Sequence, residues 1–252
     1  MSNQFPSGLR QPSKGHRFAV DSLLLSCFPR PKPGDRILDL GSGCGVVCLG
    51  LLLQNPGLGL QITGLELDQE MVACARENAK TLGLQDSCEF LLQDLRQTRQ
   101  QGQVSVESFD LVLCNPPYRE PGRGRPSPNQ AKNRARFEVQ ANLQDFLALC
   151  SFALKNKSHL ALVYPAQRLD FLLLLLPEYR LRPKVLRLVH GRTESPASLA
   201  LLLARKNGGP GLEVQPPLFL YTRDKNQNIP STQALHFCPF LQGGPPIQDP
   251  ES

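Results

Sequence analysis

Ile37-Leu38-Asp39-Leu40-Gly41-Ser42-Gly43-Cys44-Gly45 decides the fold: an apolar run of one strand's length leads into a turn with glycine at every second position. Glycine adopts positive φ without a Cβ penalty and lets a ligand approach the main chain closely. From about Val46 the pattern becomes helical. Outward from this unit, short β-like runs alternate with longer helical patterns, which predicts βαβ units in a doubly wound α/β domain. Strands are expected over residues 36–40, 61–65, 88–92, 111–114, 159–164 and 182–189, and helices over 69–82 and 143–154. Residues 199–205 and 218–221 are expected as closing strands, with 206–210 as the turn between them. No internal repeat is evident, and the Pro/Gly-rich tail after about Phe237 is expected to be poorly ordered.

A chain of 252 residues that is 40% apolar can bury a substantial core. The longest apolar run, 171–176, falls far short of the roughly 20 residues of a membrane span, so no membrane partner is expected and a cytoplasmic location is. Eight cysteines show no CxxC or Cys/His ligand spacing, and Cys44, Cys48, Cys74, Cys114 and Cys150 sit inside apolar runs. They read as small buried hydrophobes, with no metal site. The net charge of +6 favours an anionic partner such as nucleic acid. Between Arg119 and Arg136 six Lys/Arg stand against one acid, Glu120. A second basic stretch holds Arg180, Arg182, Lys184, Arg187 and Arg192, whose plainest reading is a solvated strand edge.

Two further strands end in acids. Glu66 closes Ile62-Thr-Gly-Leu-Glu66, where one carboxylate can take both hydroxyls of a ribose. Asp94 closes Glu89-Phe-Leu-Leu-Gln-Asp94, where it can hold an adenine amino group. Leu67 and Leu95, directly after these acids, are assigned to the same crevice with Gly41, Gly43 and Gly45. Asp39 either orients the glycine loop, faces a ligand ammonium, or is simply a carboxylate at a helix start. The GxGxG spacing differs from the GxGxxG dinucleotide fingerprint. Strand ends carrying a glycine-rich loop, an acid and an acid converge on an adenosyl-binding crevice at the carboxyl edge of the sheet.

The fourth strand runs into Asn115-Pro116-Pro117-Tyr118. Each proline locks its φ, and the residue before a proline is pushed to extended geometry, so the turn is rigid. It can hold the Asn115 side-chain oxygen and the Pro116 carbonyl as paired acceptors for an NH2 group. Those acceptors orient the nitrogen lone pair and stabilise the positive charge that develops on nitrogen during reaction. Tyr118 would stack on a planar, unstacked substrate.

In order, these residues resemble the class I methyltransferases with an Asn-Pro-Pro-Tyr motif. The segments 11–25, 122–128, 135–138 and 220–223 are similar to the bacterial tRNA1(Val) adenine-N6 methyltransferase family, and the likeness runs over about residues 11–225. The resemblance implies a Rossmann-like class I fold with a mostly parallel seven-stranded sheet and an antiparallel closing strand. It implies S-adenosyl-L-methionine as cofactor, with Asn115 beside its sulfonium methyl, and methyl transfer to the exocyclic N6 of an adenine in a tRNA anticodon loop. Arg17 and Asp21 would lie at the methionine end of the cofactor, Arg136 at the substrate mouth, and Arg123, Arg125 and Arg134 on RNA phosphates. The domain division expected is 1–35 as a cofactor-capping segment, 36–225 as the methyltransferase domain and 226–252 as the tail. His16, Phe137 and Cys44 depart from the family pattern, without removing a catalytic atom. Competing readings are a protein glutamine-N5 or ribosomal RNA guanine-N2 methyltransferase, which need the same NH2 chemistry, and a non-catalytic RNA-binding module. Only about 35 residues precede the first strand, fewer than the helical substrate domain usual in glutamine methyltransferases.

Overall fold

A computed structural model describes residues 5–12, 18–98, 102–117, 141–222 and 227–242. Helix α1 (Val20–Cys27) precedes β1 (Arg36–Leu40), α2 (Val46–Gln54), β2 (Gln61–Glu66), α3 (Gln69–Thr81), β3 (Cys88–Leu92) and β4 (Phe109–Cys114). Then follow α4 (Leu143–Ala153), β5 (Leu154–Pro165), α5 (Leu169–Leu175), β6 (Leu181–His190) and β7 (Ala197–Lys206). Two short strands, β8 (Glu213–Val214) and β9 (Leu218–Phe219), and α6 (Thr232–Phe237) complete the described elements.

The seven longer strands lie in the order β3-β2-β1-β4-β5-β7-β6. All neighbours from β3 to β5 are parallel, and β7 inserts antiparallel between β5 and β6. Local chemistry explains the helix starts. Asp68 accepts from the N–H groups of Glu70 and Met71 at the head of α3, and Asn142 with Asp145 forms a capping box on α4. Gly45 begins α2 at φ 85°, where a Cβ would meet the Phe90 ring at 2.9 Å. Only glycine satisfies both conditions.

Both faces of the sheet are covered. One carries α1, α2, α3 and α6 over Ile37, Leu113, Ala161 and Leu201; the other carries α4 and α5 over Leu38, Val112, Leu160 and Leu202. Alternating residues of β1, β4 and β5 thus serve opposite cores, as a two-faced sheet requires. Helix α2 is buried almost throughout because the sheet lies below it and α1 above. A Cβ at Gly50 would sit 2.6 Å from Ser26 Oγ, so α1 docks directly on the backbone of α2.

Three expectations need correction. The two closing strands do not pair with each other: β7 lies between β5 and β6, whereas β8 and β9 run parallel to β6 on its outer side. Residues 206–210 therefore lead from β7 towards β8 rather than close a hairpin. The segment after Phe237 is ordered through Gln242, because Pro239–Gln242 forms a 3-10 turn that buries Phe240 edge-on against Phe5 at 4.6 Å. Cysteines behave as buried hydrophobes at Cys44, Cys48, Cys114 and Cys150, whereas Cys74 is half-buried; all eight are unbonded. Cys27 on α1 approaches Cys238 at 3.2 Å between sulfurs, joining the first helix to the last described segment.

Candidate functional site

The strand order reverses direction at β1: the chain winds from β1 outward to β3, then returns to place β4 on the other side of β1. Ligands in open α/β sheets sit in the crevice at such a switch point, beyond the carboxyl ends of the strands. The register puts the ends of β4, β1, β2 and β3 side by side, since Leu40 pairs with both Cys114 and Leu65, and Glu66 with Leu92. Asn115, Gly41, Glu66 and Gln93 consequently follow one another across the edge. At about 4.8 Å per strand, these four ends span about 14 Å, enough for a nucleoside and a short amino-acid arm laid across them.

The glycine loop is held from below. Gly41 and Ser42 both donate backbone N–H groups to Leu65 O, at 2.9 and 3.0 Å. Glu66 pins it from the side: one carboxylate oxygen accepts from Gly43 N at 2.9 Å, and the other accepts from Leu67 N and Asp68 N at 2.8 and 2.9 Å. Gly41 and Gly43 have φ of 74° and 54°, and none of the described residues lies within 4 Å of the Cβ position of Gly43. The open space above Gly43 is a cradle that a side chain would fill. Leu67 is exposed at the rim. Gly64, not singled out in the sequence, lets Ser42 and Phe90 close in beneath, where a Cβ would meet them at 2.9 and 2.6 Å.

Asp39 is 1% exposed and accepts the Cys48 thiol at 3.0 Å. Burial lifts its carboxyl to about 7, with the thiol bond opposing and Glu66 adding to the rise. It therefore ties the start of α2 to β1 from within the core. Asp94 is engaged bidentately by Arg96, with Nε at 3.0 and 3.2 Å and Nη2 at 2.6 Å, and this guanidinium holds its carboxyl below the ordinary range. Arg96, two residues along the chain, went unread in the sequence. Leu95 is half-buried beside this pair.

Asn115 is half-buried, Pro116 buried and Pro117 exposed at the end of β4. The Asn115 Nδ2 donates to Ser22 Oγ on α1 at 3.1 Å. Ser22 in turn donates its N–H and hydroxyl to Asp21 Oδ1, at 2.6 and 3.3 Å. This relay sets the amide polarity: the donor end faces Ser22, which assigns the acceptor Oδ1 to the opposite side of the amide plane. Asp21 was expected at the cofactor and occupies the same helical turn as this relay. Ser22 escaped sequence reasoning altogether, because no local pattern distinguishes a serine in the first turn of an apolar helix. Tyr118, Arg17, Arg123, Arg125, Arg134 and Arg136, with His16 and Phe137, lie outside the described residues.

Comparison with known proteins agrees with this geometry. Residues 18–131 match the methyltransferase small domain family. A curated tRNA1(Val) (adenine(37)-N6)-methyltransferase of Porphyromonas gingivalis is 29% identical over 169 residues, 66% of this chain and 65% of that protein, so the chain matches just under two thirds of that relative's length. The protein of that name from Aeromonas hydrophila is 29% identical over 186 residues, covering 74% of this chain and 75% of its own. Among solved structures, one described as a predicted O-methyltransferase of Agrobacterium tumefaciens superposes with a TM-score of 0.68 at 20% identity, covering 88% of this chain and 96% of that one. Fold and site together resemble those of the class I, S-adenosylmethionine-dependent methyltransferases, and the chain carries an Asn-Pro-Pro-Tyr motif. Within that class the chain resembles the tRNA1(Val) adenine-N6 methyltransferases. Among the described residues, no helix is long and apolar enough to cross a membrane.

Proposed function

We propose that this protein methylates the exocyclic N6 amino group of an adenine in the anticodon loop of a tRNA, in the cytoplasm. The observation that carries the reading is the bond from Asn115 Nδ2 to Ser22 Oγ at the switch point. It leaves the amide with the polarity that a target NH2 needs, an oxygen acceptor opposite the serine. When bound, S-adenosyl-L-methionine supplies an electrophilic methyl on a sulfonium. The glycine cradle at Gly41–Gly43 and the carboxylate of Glu66 would hold its adenosyl portion, with Asp94 and Leu95 at the base and Asp21 towards the amino-acid arm.

Asn115 Oδ1 and the Pro116 carbonyl accept the two N–H bonds of the target, turn its lone pair away from the ring and offset the positive charge that grows on nitrogen. No strong base is required, since the methylated nitrogen is acidic once charged. A loop adenine suits this site because single-stranded RNA presents unstacked bases. Tyr118 would provide the stacking surface, and Arg123, Arg125, Arg134 and Arg136 the phosphate contacts. The division into a capping segment over 1–35, a catalytic domain over 36–225 and a tail belongs to the same reading.

The test is incubation with methyl-labelled cofactor and unmodified total tRNA. Label should appear in N6-methyladenosine, and Asn115→Ala should lower the rate about 10²- to 10³-fold, the usual cost of removing one preorganised charge-stabilising group. Label confined to protein, or to guanine, would overturn the adenine assignment.

A further inference from the structure

On the edge opposite Asn115, a cleft of about 480 Å³ opens between the segment following α1, the first residues of β4, the middle of β5, and β6, β7 and Phe237 of α6. Its walls carry Arg30, Lys32, Lys157, His159, Arg187 and Arg205. Two acids, Asp35 and Asp110, also line it, but both are committed elsewhere. Asp110 accepts from Arg36 N and from Lys155 Nζ, at 3.0 and 2.7 Å, and Asp35 accepts from Lys32 N at 2.7 Å. The cations therefore outnumber the acids, and one of the two acids is already neutralised by a lysine from outside the cleft.

Arg187 is the decisive residue. Its guanidinium lies 4.8 Å over the Phe237 ring, and its buried Nε has no hydrogen-bond partner among the described residues. A buried, unpaired donor on a charged group is costly unless a ligand completes it. Burial pushes the guanidinium below its ordinary value. The same positive field is felt at His159, which burial, Arg205 and Lys32 all push down, against an opposing effect of Asp35. Two other members of the basic stretch have protein acceptors: Lys184 Nζ donates to the carbonyls of Gly209, Pro210 and Gly211, and Arg192 to Gln227 O and Asn228 Oδ1. Among the described residues, Arg187 has no such acceptor for Nε.

We propose that this cleft is a second anion site, built to bind phosphate groups, separate from the methyl-transfer crevice. Leu111, beside His159 in the register, precedes Asn115 by four residues, or about 13 Å of strand. A nucleotide whose base sits at Asn115 does not reach the cleft with its own phosphate. The phosphates come either from a more distant part of the RNA backbone, which rests on the function proposed above, or from a free phosphorylated compound, which does not.

The test uses the full chain and inorganic pyrophosphate as probe, with the His159 imidazole followed by NMR. Saturable binding that raises the His159 pKa is expected, and the exposed-site variants Lys32→Gln and Arg205→Gln should each weaken it about tenfold, with unchanged melting and cofactor binding. Salt-dependent retention of unmodified tRNA then separates the sources. A fall of about 1 to 2 in the slope of log K against log salt for the double variant assigns the site to RNA backbone, at roughly 0.7 to 0.9 per phosphate contact. An unchanged slope with lost pyrophosphate binding assigns it to a free phosphorylated compound. If pyrophosphate leaves His159 unmoved and the variants change neither binding, the site is refuted. Failure of label transfer to tRNA by the wild type would overturn the proposed function while leaving the pyrophosphate result intact.

Discussion

Replacing Ser22 by alanine should slow methyl transfer without weakening the cofactor. The bond from Asn115 Nδ2 to Ser22 Oγ, 3.1 Å long and half-buried, fixes which end of the amide would face the target in the proposed reaction. A neutral hydrogen bond of this kind contributes about 0.5 to 1.5 kcal/mol. Without it, the flipped amide gains population, and that conformer presents N–H groups to an NH2 it should accept from. The rate constant at saturating RNA should drop about 2- to 12-fold, the kinetic equivalent of that energy. Asp21 Oδ1 keeps the N–H of residue 22, and the backbone of α1 is unaltered, so melting should change little. The assay is single-turnover transfer of labelled methyl to unmodified tRNA, for Ser22→Ala, Asn115→Ala and the double variant. Because serine acts through the amide, its removal should cost nothing once Asn115 is already alanine. An equal loss in both backgrounds would show that Ser22 acts on packing of α1 instead, and no loss in either would remove it from the mechanism.

Two further outcomes follow from the same crevice. Glu66→Gln keeps the side-chain length but replaces one acceptor oxygen with a donor that faces backbone N–H groups of Gly43 or Leu67 and Asp68; with charge-assisted bonds worth about 1.5 to 3 kcal/mol, cofactor affinity measured by calorimetry should fall roughly 10- to 150-fold. Wild-type affinity in that variant would exclude Glu66 from the adenosyl site. Asp39 makes the protein less stable as pH rises: its folded pKa of about 7 lies above the ordinary 3.8, so the folded chain retains a proton that the unfolded chain releases between about pH 4 and 7. The penalty grows through that window to at most about 4 kcal/mol and is complete above it. Urea unfolding should show Asp39→Asn gaining on the wild type from pH 4.5 to pH 8, and a pH-independent difference would mean that Asp39 is not the titrating group.

What could be read from the sequence was what the chain writes locally. The end of β1 and the glycine turn, Glu66 at the end of β2 and Asn115 at the end of β4 each announce themselves within six or seven residues, since strand length, turn glycine and terminal polar group are consecutive. Their convergence followed from one topological rule, that parallel strands deliver their carboxyl ends to the same edge. The lateral order of β6 to β9 was not written so. Those strands are similar in apolar content, and only tertiary packing decides that β7 inserts between β5 and β6 while 218–219 pairs along the outside. The first residues of the tail, 238–242, depart from expectation for a related reason. Proline and glycine argue against regular structure locally, yet Phe240 is secured by Phe5, near the opposite end of the chain.

The Ser22–Asn115 pair shows the limit most clearly, because its partners are 93 residues apart and neither residue type is diagnostic on its own. Its geometry depends on the docking of α1 against α2. Ser26 sits where a Cβ at Gly50 would be 2.6 Å away, and Ser22 lies one helical turn before Ser26 on the same face. A side chain at position 50 would lift α1 and carry Ser22 away from the amide. The small residue at Gly50, which by helix propensity alone costs about 1 kcal/mol relative to alanine, therefore has a positional role: it sets the height of the helix that holds the Asn115 amide. Helix α2 thus connects the glycine turn at its start to Asn115 through α1, so the two places proposed for the cofactor and the target amine are positioned by one packed unit.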